Sequence, residues 1–396
     1  MTRPAPIRLA IVLTHPVQYL SPWFRYISAS CPELDLEVLY AVEPSAHQQG
    51  IGFSRDLAWD VALYDGFRQR TLRPSRAGET LSSDHFFGLD VPEVARALVE
   101  LRPDVALVPG WHSVTLVRAL WACHRNRIPV LYRGESHLLQ QRSLAVRLAR
   151  QVRTRSMLRL YSGYLSIGRH ARTYLRHFGV SKSRIWDAPY TVDNEYFAAA
   201  ARPFQTPAAR AAARQRIGLG ADRFVLLSCA KLMAIKRPQD LIRAAAQLRP
   251  APQLLVVGSG EEENRCRQLA AELHVDVVWA GLRNQSELGE LYAVSDCLVL
   301  PSERETWGLV VNEAMATGLP CVVSDAVGCA PDLITRDTGE VHHSGDPQDL
   351  AAAIERVRAR TGTGHRYDEA CRRHIALYSF ATASRGLIDA CRGVAR

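Results

Sequence analysis

The stretch Cys297–Asp325 constrains the fold more than any other part of the chain. It begins with the short apolar run CLVL, which is typical of a buried strand. A polar turn follows, and Gly308 then opens a helical segment that runs through Thr317. Gly318 and a proline two residues later end the helix, and the next apolar run starts at Cys321. This order predicts a strand, a helix and a second strand that form a βαβ unit of a parallel sheet.

The same alternation recurs on both sides of this unit. Apolar runs predict further strands at Arg8–Leu13, Leu34–Tyr40, Pro103–Val108, Pro129–Tyr132, Tyr164–Ile167, Arg184–Trp186, Arg223–Ser228, Gln253–Val257 and Val275–Trp279. Helices are predicted at Val91–Leu101, Asp240–Leu248, Glu261–Leu273, Glu287–Val294 and Gln348–Arg358, with a further helix that ends near Arg125. The sequence therefore predicts an α/β protein with two doubly wound, Rossmann-like sheets facing each other across a cleft.

The pattern also predicts domain boundaries. We expect an N-terminal domain over residues 1–195, an Ala- and Arg-rich connection over 196–222 and a C-terminal domain over 223–378. A last helix within 379–396 could cross back to the N-terminal domain. Residues 45–90 lack clear periodicity and are interpreted as loops along one edge, and the stretch after Asp193 is interpreted as poor in helix.

Composition narrows the classes of function. With 396 residues and 47% hydrophobic residues, the chain can build two ordinary cores, and it has no apolar run of the roughly 20 residues that span a membrane. The nine cysteines are scattered without a CxxC pair, so we expect reduced thiols, no metal site and a cytoplasmic location. The net charge of +9 comes from arginine, without a nucleic-acid recognition motif, so no nucleic-acid partner is expected.

The segment 141–160 carries six arginines and no acid, with Leu144, Leu148, Val152 and Leu158 at roughly helical spacing. This pattern predicts a basic amphipathic helix. We favour a helix that packs on the sheet with its basic face in water, because the segment lies inside a predicted α/β domain. The alternative is a peripheral contact with an anionic membrane surface, such as the inner face of a cell membrane.

Two carboxylates flank the predicted helix start after the CLVL strand. Glu305 precedes the helix and Glu313 lies about one turn inside it, while the amides of Gly308, Leu309 and Val310 would be free to bind an anion such as a phosphate. Carboxylates accept hydrogen bonds from hydroxyls, so hydroxyls on both sides of a phosphate indicate a sugar nucleotide. The competing interpretation is two ordinary solvated glutamates.

A pair of lysines supports the phosphate interpretation. Lys231 and Lys236 follow a predicted strand in a loop that Pro238 closes, in a chain that otherwise uses arginine as its cation. Two ammonium groups there could flank a diphosphate, although exposed lysines are the simpler explanation. The run Gly258–Glu263 is a poor dinucleotide fingerprint, because its carboxylates would repel a pyrophosphate.

Polar clusters that contain histidine end three strands of the N-terminal half. They hold His15 with Gln18, then His112, and finally Arg133, Glu135 and His137. Because the carboxyl ends of parallel strands share one edge of a sheet, these side chains are candidates for a ligand crevice. Capping and packing roles for the histidines are equally compatible with the sequence.

The second half resembles the nucleotide-sugar domain of the retaining glycosyltransferases of family four, which have the GT-B fold. The matching pieces occur in order over about 120 residues. They are AKL with Lys236, VGSG at Val257, GLR at Gly281, Leu291–Asp296, PS at Pro301, Glu305–Glu313, AMA with Gly318 and Pro320, VG at Val327, and Gly345–Asp346. The run PYTVD at Pro189 resembles the family segment that enters the interdomain connection.

The resemblance implies roles for individual residues. Lys231, Lys236 and Glu305 are implied to be catalytic: the lysines would stabilise the leaving diphosphate, and Glu305 would hold hydroxyls of the donor sugar. Glu313 would hold the ribose hydroxyls. The residues implied to bind the donor through their backbone are Arg283, Trp307, Gly308, Leu309 and Val310. No cofactor is implied, and basic residues with helix amides would replace a metal.

The N-terminal half matches the family less well and would form the acceptor side. Its candidates are His15, Gln18, His112, Arg133, Glu135 and His137, and Arg133 stands where the family has a strand-end histidine. We therefore expect a cytoplasmic retaining glycosyltransferase that moves a sugar from a nucleotide diphosphate to an acceptor hydroxyl. The alternatives are a hydrolase or epimerase of the same fold, which needs no acceptor, and a non-catalytic basic protein that binds anionic glycans or lipids.

Overall fold

The computed structural model describes residues 5–74, 85–139 and 144–395, with residues 144–150 described by their backbone alone. The chain divides into two compact units. Unit 1 comprises residues up to Pro44, then Ala62–Tyr190, and resumes at Phe380. Unit 2 comprises Ser45–Val61 and Thr191–Ser379.

The strands and helices are numbered along the whole chain. The strands are β1 Ile7–Leu13, β2 Leu34–Tyr40, β3 Arg68–Thr71, β4 Val105–Val108, β5 Val130–Tyr132, β6 Gly163–Ser166, β7 Ile185–Asp187, β8 Val225–Cys229, β9 Gln253–Val257, β10 Val277–Gly281, β11 Cys297–Leu300, β12 Cys321–Ser324 and β13 Gly339–His342.

The helices alternate with these strands over most of the chain. They are α1 Ser21–Ser30, α2 Ala46–Gln49, α3 Glu93–Leu101, α4 Val114–Arg125, α5 Leu144–Leu158, α6 Arg169–His177, α7 Asn194–Ala201, α8 Pro207–Ile217, α9 Pro238–Gln247, α10 Glu263–Glu272, α11 Leu288–Val294, α12 Leu309–Thr317, α13 Ala330–Leu333, α14 Pro347–Gly362, α15 Tyr367–Ile375 and α16 Phe380–Val394. None of the helices in the described ranges is both long enough and apolar enough to span a membrane.

The sheet of unit 1 has the strand order β3-β2-β1-β4-β5-β6-β7, and all its pairings are parallel. Its strands β4, β5 and β6 are buried along their whole length, as expected for the centre of a parallel sheet that helices cover on both faces. Along β1, Leu9 and Ile11 pack into one apolar cluster, and the alternate residues Ala10 and Val12 pack into the other. The period of two along a strand thus divides the core of this unit into two layers.

The sheet of unit 2 has the order β10-β9-β8-β11-β12-β13 and is also parallel. In both sheets the strand order reverses at the first strand, between β1 and β4 in unit 1 and between β8 and β11 in unit 2. Ligands of doubly wound sheets bind outside the carboxyl ends of the strands at such a reversal. The two predicted doubly wound parallel sheets are therefore present, and each has a strand-end region where a ligand could bind.

Residues 45–90 are not the run of loops that the sequence predicted. They contain α2 and the edge strand β3, which pairs with β2 in parallel. The sequence RQRT of β3 has no apolar alternation that would predict a strand. Arg68 and Arg70 form ion pairs with Asp35 and Glu37 of β2. Segment 45–61 also groups with unit 2, although it lies early in the chain.

The predicted connection over 196–222 is wrong as well. The side chain of Asp193 caps α7 by accepting a hydrogen bond from the amide of Tyr196 at 2.9 Å. Helix α8 is part of unit 2, because the buried Arg214 donates to Asp296 at 2.7 Å and to the carbonyl of Val294 at 2.8 Å. The alanine-rich composition predicts a linker, whereas the side chains of Arg210 and Arg214 anchor this helix to Asp296.

Helix α16 follows unit 2 in the chain but belongs to unit 1. Its Leu387 is fully buried in the apolar cluster that holds β1, and Ser384 accepts a hydrogen bond from the indole of Trp23 at 3.0 Å. The nine cysteines are all free thiols, and eight of them are buried. The sequence did not predict α6, α13, α15 or β13.

Candidate active site

The strand-order reversal of unit 2 places a lysine and a glutamate side by side. Lys236 ends a short 3-10 turn after β8, and Glu305 lies in the loop after the adjacent strand β11. The ammonium of Lys236 donates to the carboxylate of Glu305, and both side chains are mostly buried, at 21% and 17% exposed. The backbone of Glu305 is fixed too, because its carbonyl accepts from the amide of Gly328 at 3.0 Å.

Helix α12 begins directly after this pair, without a side-chain cap. Gly308 is the N-terminal cap residue with φ of +98°, a left-handed conformation that favours glycine. A Cβ there would lie 3.0 Å from Leu300 and 3.2 Å from Val327. Among the described residues, none accepts a hydrogen bond from the amides of Gly308, Leu309 or Val310. The helix start therefore offers donors and the positive end of the helix dipole to an anion.

Glu313 lies on the first turns of α12 and is partly accessible. The hydroxyl of Tyr292, from α11, donates to its carboxylate at 2.5 Å. Burial raises the pKa of Glu313 to about 7, and the Tyr292 hydrogen bond opposes that rise. This carboxyl group therefore changes charge near neutral pH, and its ionised form is the better acceptor for ligand hydroxyls.

Lys231 follows the carboxyl end of β8, and it forms no ion pair with a carboxylate of the described residues. Its ammonium donates to the carbonyl of Ile51 and lies 4.8 Å from the centre of the Phe53 ring. Burial, and then the charge of Lys236, lower the pKa of Lys231. Segment 45–61 thus reaches the strand ends of unit 2, where the hydroxyl of Ser259 also donates to the carbonyl of Phe53 at 2.6 Å.

The remaining donor-side candidates have partners within unit 2. Trp307 is buried, and its indole donates to the side chain of Asn312 at 2.8 Å. Its carbonyl accepts from the amide of Cys329. The guanidinium of Arg283, after β10, donates to Glu287 at 2.8 Å and to the carbonyl of Ala280 at 3.0 Å. The Trp307 carbonyl and the Arg283 side chain are therefore already occupied.

The strand-order reversal of unit 1 brings two of the three predicted histidines together. His15 follows β1 and His112 follows the adjacent β4. Burial, together with the charge of the other histidine, lowers the pKa of His15. Burial also lowers the pKa of His112, against an opposing effect of Glu135. Both rings are therefore neutral at physiological pH and can each donate and accept one hydrogen bond.

Arg133, directly after β5, is 8% exposed and lies between two aromatic rings. Its guanidinium carbon is 4.9 Å from the centre of the Trp23 ring and 4.7 Å from that of Tyr190. The neighbouring carboxylate of Glu135 accepts a hydrogen bond from the Tyr190 hydroxyl. The strand-end cluster thus contains a cation, a carboxylate and phenol groups next to the two histidines.

The remaining acceptor-side candidates are His137 and Gln18. His137 is buried, accepts a hydrogen bond from the amide of Leu139 at 3.3 Å and has its ring 6.4 Å from that of His170. Gln18 is half-buried in the turn between β1 and α1. Within the part of the chain that is described, no three metal-binding side chains cluster in a way that could hold an ion.

Sequence reasoning missed several neighbours of the site. They are Tyr292, which the sequence includes only in a run that resembles the family, and Phe53, Trp23 and Tyr190, for which the sequence predicts no role. No local pattern could have found them, because each meets its partner through the tertiary fold. The only sequence signal for these residues is that they are aromatic and lie near predicted strand ends. That signal predicts little when the tertiary contacts are unknown.

Comparison with known proteins finds similarity to one family of enzymes. Residues 209–374 match the model described as glycosyl transferases, group 1. The D-inositol 3-phosphate glycosyltransferase of Geodermatophilus obscurus is 33% identical over 234 residues, which are 56% of this chain and 50% of that protein. The N-acetyl-alpha-D-glucosaminyl L-malate synthase of Bacillus anthracis is 35% identical over 141 residues, which are 35% and 37% of the two chains.

Solved structures share the fold over nearly the whole chain. The sucrose-phosphate synthase of Thermosynechococcus elongatus has a TM-score of 0.72 with 20% identity and covers 98% of both chains. HepE of Anabaena, solved with UDP and glucose, has a TM-score of 0.70 with 17% identity and covers 97% of this chain and 98% of its own. The chain spans about half the length of the curated relatives it matches, or less.

These matches agree with the two parallel sheets and show the GT-B fold. Residues 209–374 are thus similar to the glycosyl transferases of group 1.

Proposed function

We propose that the protein transfers a sugar from a nucleotide diphosphate donor to an acceptor hydroxyl, with retention of the anomeric configuration. The observation that carries this proposal is the Lys236–Glu305 pair in front of the uncapped start of α12. A cation, free amides and a hydroxyl acceptor meet there at the strand-order reversal of unit 2. That combination fits a diphosphate joined to a sugar better than it fits either part alone.

The chemistry follows from where charge develops. As the bond between the sugar and the diphosphate breaks, negative charge grows on the leaving diphosphate. Lys236, Lys231 and the amides at the start of α12 are donors that can neutralise it without a metal ion. For Lys231 to take part, its ammonium must exchange the Ile51 carbonyl for a phosphate oxygen.

The two carboxylates would hold opposite ends of the donor. Glu305 would accept hydrogen bonds from hydroxyls of the sugar, and Glu313 from those of the ribose. HepE, which shares the fold, was solved with UDP and glucose and with UDP-glucose, which supports a nucleotide sugar as the donor. The acceptor would bind at the strand ends of unit 1, near His15, His112 and Glu135.

We also propose that the protein works in the cytoplasm without a nucleic-acid partner and that its basic helix can contact an anionic membrane surface. In the described part of the 141–160 segment, Val152 is 70% exposed, whereas Leu158 is buried. An exposed apolar side chain next to exposed arginines supports a surface contact. Pelleting with anionic vesicles tests it: Val152→Asp should reduce pelleting, and equal pelleting with neutral vesicles would contradict it.

Binding of nucleotide sugars tests the proposed activity. A ligand that binds only the folded state raises its melting temperature, so thermal-shift measurements with UDP-, GDP-, ADP- and TDP-sugars should identify one donor. Turnover of that donor should then depend on an acceptor, and NMR should show the product with the donor's anomeric configuration. Rapid turnover without an acceptor would indicate a hydrolase or epimerase instead, and binding without turnover a carrier of glycans.

A further inference from the structure

The guanidinium of Arg133 is a buried cation without a hydrogen-bonded counterion. The residue is 8% exposed, and the rings of Trp23 and Tyr190 lie 4.9 and 4.7 Å from its guanidinium carbon. Among the described residues, none accepts a hydrogen bond from its side chain, and its buried Nε has no partner. Aromatic rings offset part of a positive charge, but they accept none of the five N–H donors in the way that an oxygen does.

The neighbouring carboxylate does not fill this gap. Glu135 lies two residues beyond Arg133, yet its oxygen accepts a hydrogen bond from the Tyr190 hydroxyl. The hydroxyl of Tyr190 lies 3.2 Å from that of Tyr19, so these groups form a network of their own. Buried arginines are usually paired, because removing a charge from water is costly unless its donors are satisfied. The donors of Arg133 are thus available to an oxyanion.

The position of Arg133 suggests what would supply that oxyanion. It directly follows β5, which is the neighbour of β4 in the sheet, and the strand order reverses between β4 and β1. The titratable groups of this region come from three strand ends: the charge of Glu135, after β5, acts on His112, after β4, and that of His112 acts on His15, after β1. The charges of Arg133 and Glu135 both act on Tyr19 and Tyr190. The two histidines are neutral, so Arg133 is the fixed positive charge of this cluster.

We propose that the acceptor is a small hydroxylated molecule that carries an oxyanion, a phosphate or a carboxylate, and that Arg133 binds this group. The inference rests on the proposed transferase function and names its acceptor class. A planar guanidinium presents two parallel N–H groups to such an anion. The rings of Trp23 and Tyr190 would hold the guanidinium in place, and a neutral histidine could then lie near the acceptor hydroxyl.

Matched ligand pairs test the proposal by calorimetry. The protein is first saturated with the nucleoside diphosphate of the donor that the thermal-shift measurements identify, so that the diphosphate site cannot bind the probe. Glucose 6-phosphate is then compared with glucose, and glycerate with glycerol. We expect the anionic member of at least one pair to bind about tenfold tighter or more, as a charge-assisted hydrogen bond allows. The pair that shows the preference distinguishes phosphate from carboxylate. Equal binding of both members in both pairs would overturn the proposal.

Variants assign the preference to Arg133. Arg133→Gln should abolish it and Arg133→Lys should keep part of it, because an ammonium retains the charge but loses the planar fork. Arg118→Gln, which removes a surface ion pair with Asp90, is the matched control and should keep the full preference. A preference that persists in a folded Arg133→Gln variant would contradict the proposal. Binding of that nucleoside diphosphate should be unchanged in all variants, and failure of the wild type to bind any of the four nucleoside diphosphates would refute the transferase function instead.

Discussion

The ammonium of Lys236 donates a hydrogen bond to the carboxylate of Glu305, 69 residues further along the chain. The two side chains meet because β8 and β11 are neighbouring parallel strands in the sheet of unit 2, so the loops that follow them start at the same edge of the sheet. The pair fixes a cation next to a hydroxyl acceptor at the start of α12. A donor that brings its own phosphates would compete with Glu305 for the lysine.

Gly308→Ala should destabilise unit 2. The substitution puts a side chain on a residue with φ of +98° and brings a Cβ to 3.0 Å from Leu300, so we expect a loss of about 1–3 kcal/mol in the free energy of unfolding. Gly362→Ala at the end of α14 is the control, because a Cβ there meets nothing within 4 Å and should change stability by at most about 0.5 kcal/mol. Urea unfolding measures both, and equal effects would contradict the account.

Asp296→Ala should lower the free energy of unfolding far more than the loss of a surface ion pair does. Asp296 accepts hydrogen bonds at 2.7 Å from Arg210, from Arg214 and from the amide of Val225, and Arg214 is buried. Removing the carboxylate leaves a buried guanidinium without its counterion, a change that typically costs about 3–5 kcal/mol.

The matched control for that change is Glu290→Ala, which breaks the exposed pair of Glu290 with Arg216 on the same helix α8. We expect this variant to lower the free energy of unfolding by at most about 1 kcal/mol. Denaturant unfolding of both variants measures the difference. A small effect of Asp296→Ala would mean that α8 is the loose connection that its composition suggested.

Donor binding should strengthen as the pH rises through about 7. The pKa of Glu313 is raised to about 7, and in the proposed donor complex its ionised form would accept hydrogen bonds from ribose hydroxyls. Calorimetry with an intact nucleotide sugar should therefore show tighter binding at pH 8 than at pH 6. In Glu313→Gln this dependence should disappear, and an unchanged pH profile in the variant would show that another group titrates.

The same carboxyl group should affect stability. Its pKa is higher in the folded protein than the usual 4.5, so between about pH 4.5 and 7 the folded state binds more protons than the unfolded state. The contribution of Glu313 to the free energy of unfolding therefore falls as the pH rises through that window. Glu313→Gln should raise the melting temperature more at pH 8 than at pH 5. A difference in the opposite direction would contradict the assigned pKa.

Much of the fold was predictable because its signals are local. The unit from β11 through α12 to β12 follows from an apolar run, a glycine at each end of the helix and a second apolar run. Strand β3 and helix α8 could not be predicted in this way. Pairing with β2 stabilises the polar sequence of β3, and Asp296, 82 residues from Arg214, anchors α8.

The candidate site divides along the same line. Glu305, Glu313 and Lys236 could be singled out from a helix start and a strand end, which are local features. The partners of the other side chains could not be predicted, because they come from distant parts of the chain. Phe53, which contacts Lys231, lies in segment 45–61, and Tyr292, which donates to Glu313, lies on another helix. The rings around Arg133 likewise come from α1 and from the chain beyond β7.

The central claim is that Lys236 and Glu305 carry the transfer of the sugar. Its most direct test is the acceptor-dependent release of nucleoside diphosphate from the donor by Lys236→Ala and Glu305→Gln, with Lys182→Ala as the control. Lys182 is an exposed lysine outside unit 2. We predict a loss of about 10²-fold or more in both site variants, wild-type activity in the control and unchanged circular dichroism in all three. Wild-type turnover by either site variant would contradict the claim.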